Sequence, residues 1–183
     1  MKDMNLCRLT GTIFWSKLDD RQTFTLLRLG IKLGNGSSTF VTVNNPDVQA
    51  YDLIKPGNKV LLTNGFLDIW EKEDGTSEEQ IKANAHAIQF FTKEKALSDM
   101  NSVIVVGKVV SFKEDTVMVE MTGERNPKTD KPVLRKTNIK IGDSYKNIVI
   151  GSKISLDAKV ASVDIAGKSK LVIEADYDKI NIL

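Results

Sequence analysis

Met4-Asn5-Leu6-Cys7-Arg8-Leu9-Thr10-Gly11 and Met100-Asn101-Ser102-Val103-Ile104-Val105-Val106-Gly107 decide the fold, because they write one pattern twice. Each opens on Met-Asn and reaches a glycine seven residues after the methionine, through an alternating apolar run. Farther on, Lys55-Pro56-Gly57-Asn58-Lys59-Val60 corresponds to Val149-Ile150-Gly151-Ser152-Lys153-Ile154. Gly57 follows Gly11 by 46 residues, and Gly151 follows Gly107 by 44. The closing segments agree as well, Ile88 lying 31 residues beyond Gly57 and Ile180 lying 29 beyond Gly151. Ordered markers at a shared spacing indicate an internal repeat. A chain of 183 residues holds two units of ordinary domain size, which sets the expected division at residues 1–93 and 94–183.

Within the first unit, residues 6–15 and 24–33 are rich in β-branched, aromatic and leucine residues and read as strands. Gly34-Asn35-Gly36-Ser37 then turns the chain. Phe40-Val41-Thr42-Val43-Asn44 alternates with period two, setting Val41 and Val43 on one face and Phe40 and Thr42 on the other. Asn45-Pro46-Asp47 has the polar residue and early proline of a helix start, and Pro56-Gly57 limits that helix to about two turns. Residues 60–70 and 81–91 read as the last two strands, joined by an acidic hairpin over 71–79. In the second unit the strands are 102–112, 116–121, 134–141, 153–163 and 170–180, with a polar, proline-containing loop over 123–132 and a tight turn at Asp164-Ile165-Ala166-Gly167. Residues 92–99 form the linker. Five strands with at most a short helix between the third and fourth is the order of an OB barrel. The expected fold is therefore all-β, two tandem five-stranded OB barrels.

Composition excludes whole classes of chemistry. One histidine, His86, and one cysteine, Cys7, cannot assemble a transition-metal site, a nucleophile–histidine pair or an internal disulfide. Gly107-Lys108 is followed by Val109 inside an apolar run and is no phosphate loop. No enzyme activity, metal or cofactor is expected. No apolar run approaches the roughly 20 residues of a spanning helix, and Met1-Lys2-Asp3-Met4-Asn5 is unlike a signal peptide, so no membrane association and a cytoplasmic location are expected. The net charge is only +2, with 11 basic and 11 acidic residues up to Lys93 and 15 against 13 after it. Any contact with a phosphate backbone must lean on local patches and on stacking.

The two opening segments resemble the first strand of bacterial single-stranded-DNA-binding proteins. Pro56-Gly57-Asn58-Lys59-Val60 followed by Gly65 is similar to that family's lysine-glycine turn and fourth strand, and Ile88-Gln89-Phe90-Phe91 to its closing strand. The likeness spans nearly all of residues 4–91 and, in the second unit, the first strand and the surroundings of Gly151. It implies non-catalytic, sequence-tolerant binding of single-stranded DNA in replication, recombination or phage or plasmid propagation. In that family bases stack on exposed aromatics beside basic residues. Phe40 and Trp70 match the pattern, Phe66 shares the Trp70 face of its strand, and Trp15, Arg28 and Lys72 complete the candidates of the first unit. Asn44 and Asn45 stand where the family has another aromatic, and the final Asp178-Lys179-Ile180-Asn181-Ile182-Leu183 lacks its acidic-aromatic tip for recruiting partners. Since the family commonly presents four barrels, a chain with two is expected to pair as a homodimer.

The residues leave alternatives open. Phe14 and Trp15 are adjacent, so one points inward; Trp15 shares the face of Gly11 and Ile13 and suits the core as well as a contact. Trp70 also suits a barrel end or a subunit interface. Nine of the 12 aromatics precede residue 92. The second unit instead offers Arg125, Lys128, Lys131, Arg135, Lys136 and Lys140, either a phosphate track or an ordinary solvated loop. The hairpin, with Glu71, Glu73, Asp74, Glu78 and Glu79 against Lys72, repels phosphate and favours a different class: a protein-interaction or assembly module, such as a primosome-like adaptor or a viral structural component. RNA binding is a further alternative. Cys7 reads as core, and His86 as a structural residue on the last strand of its unit.

Overall fold

The alternating runs pair into ladders in both halves of the chain. The computed structural model describes residues 2–33, 38–47, 52–142 and 147–183, without the side chains of 168–169 and 176–178. Its strands are β1 (Met4–Leu18), β2 (Thr25–Lys32), β3 (Ser38–Asn45), β4 (Lys59–Glu71), β5 (Ser77–Ala83), β6 (Ile88–Phe91), β7 (Asn101–Lys113), β8 (Thr116–Arg125), β9 (Pro132–Lys140), β10 (Lys153–Ile165) and β11 (Lys168–Ile182). Strand β1 pairs with β2 and β4, β2 with β3, β3 runs parallel to β5, and β5 pairs back to β4, closing a five-stranded ring. The same circuit recurs as β7-β8-β9-β11-β10, again with its third and fifth strands parallel. This is the OB order in both rings, and the fold is all-β. Strands β1 and β7 also pair with each other, from Met4 opposite Val106 to Leu9 opposite Asn101, so one continuous sheet joins the rings.

Each ring fills itself with the inward residues of its strands. In the first, Leu9, Leu27, Leu29, Val41, Val43, Leu62, Leu67 and Ile81 are fully or almost fully buried. Val105, Val117, Val119, Ile139, Ile154 and Ile173 do the same in the second. At about 1.5–3 kcal/mol for each large apolar side chain removed from water, these faces supply the main force closing the rings. Cys7 lies among them, and burial pushes its thiol up to about 12.

The repeated sequence markers do identical structural work. The Asn5 side chain donates to the Leu67 carbonyl (2.7 Å) and accepts from the Leu67 N–H (2.9 Å), tying β1 to β4 beyond a slip in their ladder. Asn101 does the same to Val160 of β10, at 2.8 Å in both directions. The N–H of Gly57 donates to the Ile13 carbonyl at 2.9 Å, and that of Gly151 to the Val109 carbonyl at 2.8 Å. Both glycines hold φ near +90° (88° and 95°), which a side chain resists. Where β7 crosses β8, a Cβ on Gly107 would lie 2.6 Å from the Glu120 carbonyl oxygen, so that crossing admits only glycine.

Several local readings are corrected. The expected last strand of the first unit breaks into β5 and β6 at residues 84–87, where His86 takes a positive φ of 60° and lies exposed in the turn rather than on a strand. The expected loop 123–132 contracts, because β8 continues through a register slip to Arg125 and β9 starts at Pro132. The acidic hairpin shortens likewise, Ser77, Glu78 and Glu79 pairing along β4. The turn at residues 34–37 lies outside the described residues, as does much of the expected short helix, at residues 48–51. Among the described residues no helix is long and apolar enough to cross a membrane.

Candidate nucleic-acid interface

The outer face of β1, β2 and β3 carries large aromatics in water. A slip in the β1–β2 ladder between Ile13 and Trp15 inserts one extra residue, and after it alternation no longer holds. Phe14 and Trp15 therefore both point outward, 61% and 38% exposed. The expectation that one of the pair points inward is thus corrected: Trp15, left open between core and contact, lies outside, and Phe14, missing from the sequence candidates, joins the site. Opposite the slip, Trp15 pairs with Arg28, which pairs in turn with Thr42. Phe40 is 41% exposed; its ring centroid lies 5.1 Å from that of Phe14 at 59°, and the Arg28 guanidinium lies 5.8 Å above it. Arg28 is held in place by donating to the Thr42 hydroxyl at 3.2 Å. Aromatic faces beside a planar cation are chemically suited to flat, electron-rich rings joined by anionic links.

This face leads into a groove of about 720 Å³ between the rings. Arg28, Phe40, Thr42, Asn44 and Trp70 line it from the first ring, and Asn138, Lys140, Val163, Ile165 and Lys170 from the second. Trp70 is 49% exposed, with the Lys72 ammonium 5.6 Å from its ring. Lys72 is also paired with Glu78. Asn44, at the position lacking the expected aromatic, has a buried side-chain oxygen without a partner.

The remaining basic candidates do not form one track. Arg135 lies 3.8 Å above the Phe66 ring and 3.2 Å from the Asp68 carboxylate, which Lys82 also reaches at 2.8 Å. The Phe66 face is therefore covered by the second ring, and Phe66 and Arg135 join rings instead of facing solvent together. Arg125 donates to the backbone and carboxylate of Asp130 within its own turn. Lys136 pairs with Glu120 at 3.7 Å and Lys140 with Asp115 at 3.6 Å. Lys128 and Lys131 are exposed on the β8–β9 turn, and of the six only Lys140 lines the groove.

The acidic side chains at the groove are largely engaged. Glu79 on β5 reaches the other ring, accepting from the Thr137 hydroxyl (2.9 Å), the Asn138 N–H (2.8 Å) and the Asn138 side-chain amide (2.8 Å). Burial pushes its carboxyl above the usual range, against the pull of those donors and with the help of nearby Asp68. At the tip of the second ring, Ser162 meets the Thr39 hydroxyl of β3, and Asp3 joins the rings through Lys153 at 2.7 Å and the Thr122 N–H at 2.9 Å. Among the described residues, no three metal-ligating side chains gather at one point.

The strand circuits and the positions of their loops define an OB-type fold. No family model matches the chain, and no curated protein matches it in sequence. Solved structures do match in shape. A deletion mutant of the single-stranded DNA binding protein from Thermus aquaticus superposes with a TM-score of 0.62 at 14% identity, covering 100% of this chain and 95% of that one. The wild-type protein gives a TM-score of 0.61 at 14% identity, with 100% and 94% covered.

Proposed function

We propose that this protein binds single-stranded DNA without base-sequence preference and without catalysis, bases stacking on the Phe14–Trp15–Phe40 face while Arg28 meets the backbone. The observation that carries the reading is that face: three large aromatics exposed beside a braced guanidinium on the β2–β3 side of an OB ring, the side on which such barrels take oligonucleotides. The likeness in shape to a single-stranded DNA binding protein supports it. A net charge of +2 gives weak long-range attraction, so stacking, at about 1–3 kcal/mol per base, supplies most of the affinity.

The paired asparagine clamps and glycine turns support a further part of the proposal, that the rings are two copies of one module dividing near residues 93 and 94. Two such chains joined as a homodimer would present four barrels and raise avidity through effective concentration. A role in replication, recombination or phage or plasmid propagation belongs to the same reading. Titration with oligo(dT) at low salt, followed by gel retardation and tryptophan fluorescence, tests it. Retardation with quenching is expected; neither at high micromolar protein would refute it. Competition by RNA of equal length separates DNA from RNA binding, and light scattering decides between monomer and dimer.

A further inference from the structure

We infer that the second ring is one wall of the first ring's binding site, so that the chain holds a single shared site for a short run of nucleotides in the groove between the rings. The inference rests on the single-strand reading above and adds to it where the strand goes. The long β10–β11 hairpin reaches across to β3, where Ser162 touches Thr39. Its tip brings Val163 and Ile165 to the groove, 39% and 50% exposed, opposite the wall that carries Phe40 and Trp70. Exposed apolar side chains occur elsewhere on the second ring, but these two line the same groove as Phe40 and Trp70, and together the four give it an apolar lining suited to flat rings.

Size and charge agree with that occupant. A volume of about 720 Å³ falls within the roughly 300–1,000 Å³ typical of ligand sites, room for the bases of a short stretch of strand. Arg28 on one wall and Lys170 on the other are placed to meet phosphates, whereas Glu78 is paired with Lys72, Asp115 with Lys140, and Glu79 is held by Thr137 and Asn138. The acidic hairpin that counts against phosphate binding in the sequence is thus partly spent on holding the walls together. Phe66 under Arg135 and Glu79 on Asn138 fix the second ring against β4 and β5, keeping the groove from widening freely.

The test uses the full chain and an oligo(dT) of about eight nucleotides, within the site size of one OB barrel. Affinity and stoichiometry are read by fluorescence anisotropy of a labelled oligonucleotide for wild type, Ile165→Asp, Val163→Asp and Val149→Asp. Val149 is an exposed residue of the second ring outside the groove lining. Expected are one oligonucleotide per chain, a loss of about tenfold or more for each hairpin variant, corresponding to about 1.4 kcal/mol or more, and no change for Val149→Asp. Circular dichroism melts of the variants should match wild type, since both hairpin positions are solvent-facing. Wild-type affinity in both hairpin variants, or two oligonucleotides per chain, would overturn the shared site and leave single-strand binding standing. No binding by wild type would overturn both.

Discussion

Replacing Asn5 with alanine removes both hydrogen bonds that tie β1 to Leu67 and leaves the Leu67 N–H and carbonyl facing a void. A hydrogen bond of this kind contributes about 0.5–1.5 kcal/mol net, and a buried group left without its partner costs about 1–3 kcal/mol. Asn5 is half-buried, so water recovers part of the loss, and about 2 kcal/mol is the expected destabilisation. For a chain of 183 residues this lowers the melting temperature by about 4–8 °C. Asn101→Ala must cost the same within about 0.5 kcal/mol, because Asn101 makes the same pair of contacts at nearly the same distances in the other ring. Asn5→Asp sharpens the test. The carboxylate still accepts from the Leu67 N–H but opposes its carbonyl, so the variant should recover stability as pH falls and the carboxyl regains a donor proton. Urea unfolding followed by circular dichroism measures all three. A loss below about 0.5 kcal/mol for both alanine variants, or a large loss for one alone, would refute equivalent clamps.

The Glu79 carboxyl is raised in the folded state, so the native protein holds its proton more tightly than the unfolded chain, and this group's contribution favours folding progressively as pH falls from neutrality toward 4.5. Glu79→Gln should therefore be neutral or stabilising at pH 7 and flatten melting temperature against pH across that interval; marked destabilisation at pH 7 would contradict it. Cys7, buried and with its thiol pushed up to about 12, should resist thiol reagents in the native protein and react at the unfolding rate in denaturant. Rapid labelling under native conditions would show that the first ring opens locally. Gly151→Ala should cost about 1–2 kcal/mol in urea unfolding through its φ of 95°, and an unchanged midpoint would rule out strain there.

The circuit of strands was legible because the markers that fix it are local and repeated: an asparagine clamp, a glycine at a crowded crossing and a glycine turn recur at matched spacing. Alternation separates Val41 and Val43, which lie in the core, from Phe40, which lies outside. It failed at the Phe14–Trp15 pair, of which it turns one inward, because a ladder slip adds a residue and resets the faces. Phe14 was missed for the same reason, although two adjacent aromatics in a strand violate the pattern and could have raised it. The fate of Phe66 and Arg135 was not legible: 69 residues separate them, and only packing of one ring on the other brings the guanidinium over the ring. Nor could sequence show that the acidic hairpin spends Glu79 on the second ring, since isolated carboxylates carry no mark of a partner 58 residues away.

The affinity of wild type, Phe40→Ala and Lys128→Ala for oligo(dT), measured across a salt series, tests stacking on the first ring most directly. Phe40 makes the centre of the aromatic face, whereas Lys128 stands exposed on a turn outside the groove. Loss of one stacked base predicts an affinity for Phe40→Ala lower by about 1–3 kcal/mol, with the slope of log affinity against log salt unchanged. Lys128→Ala should stay within about 0.5 kcal/mol of wild type at every salt concentration. Wild-type affinity in Phe40→Ala, or a larger loss in Lys128→Ala, would contradict binding by stacking on this face.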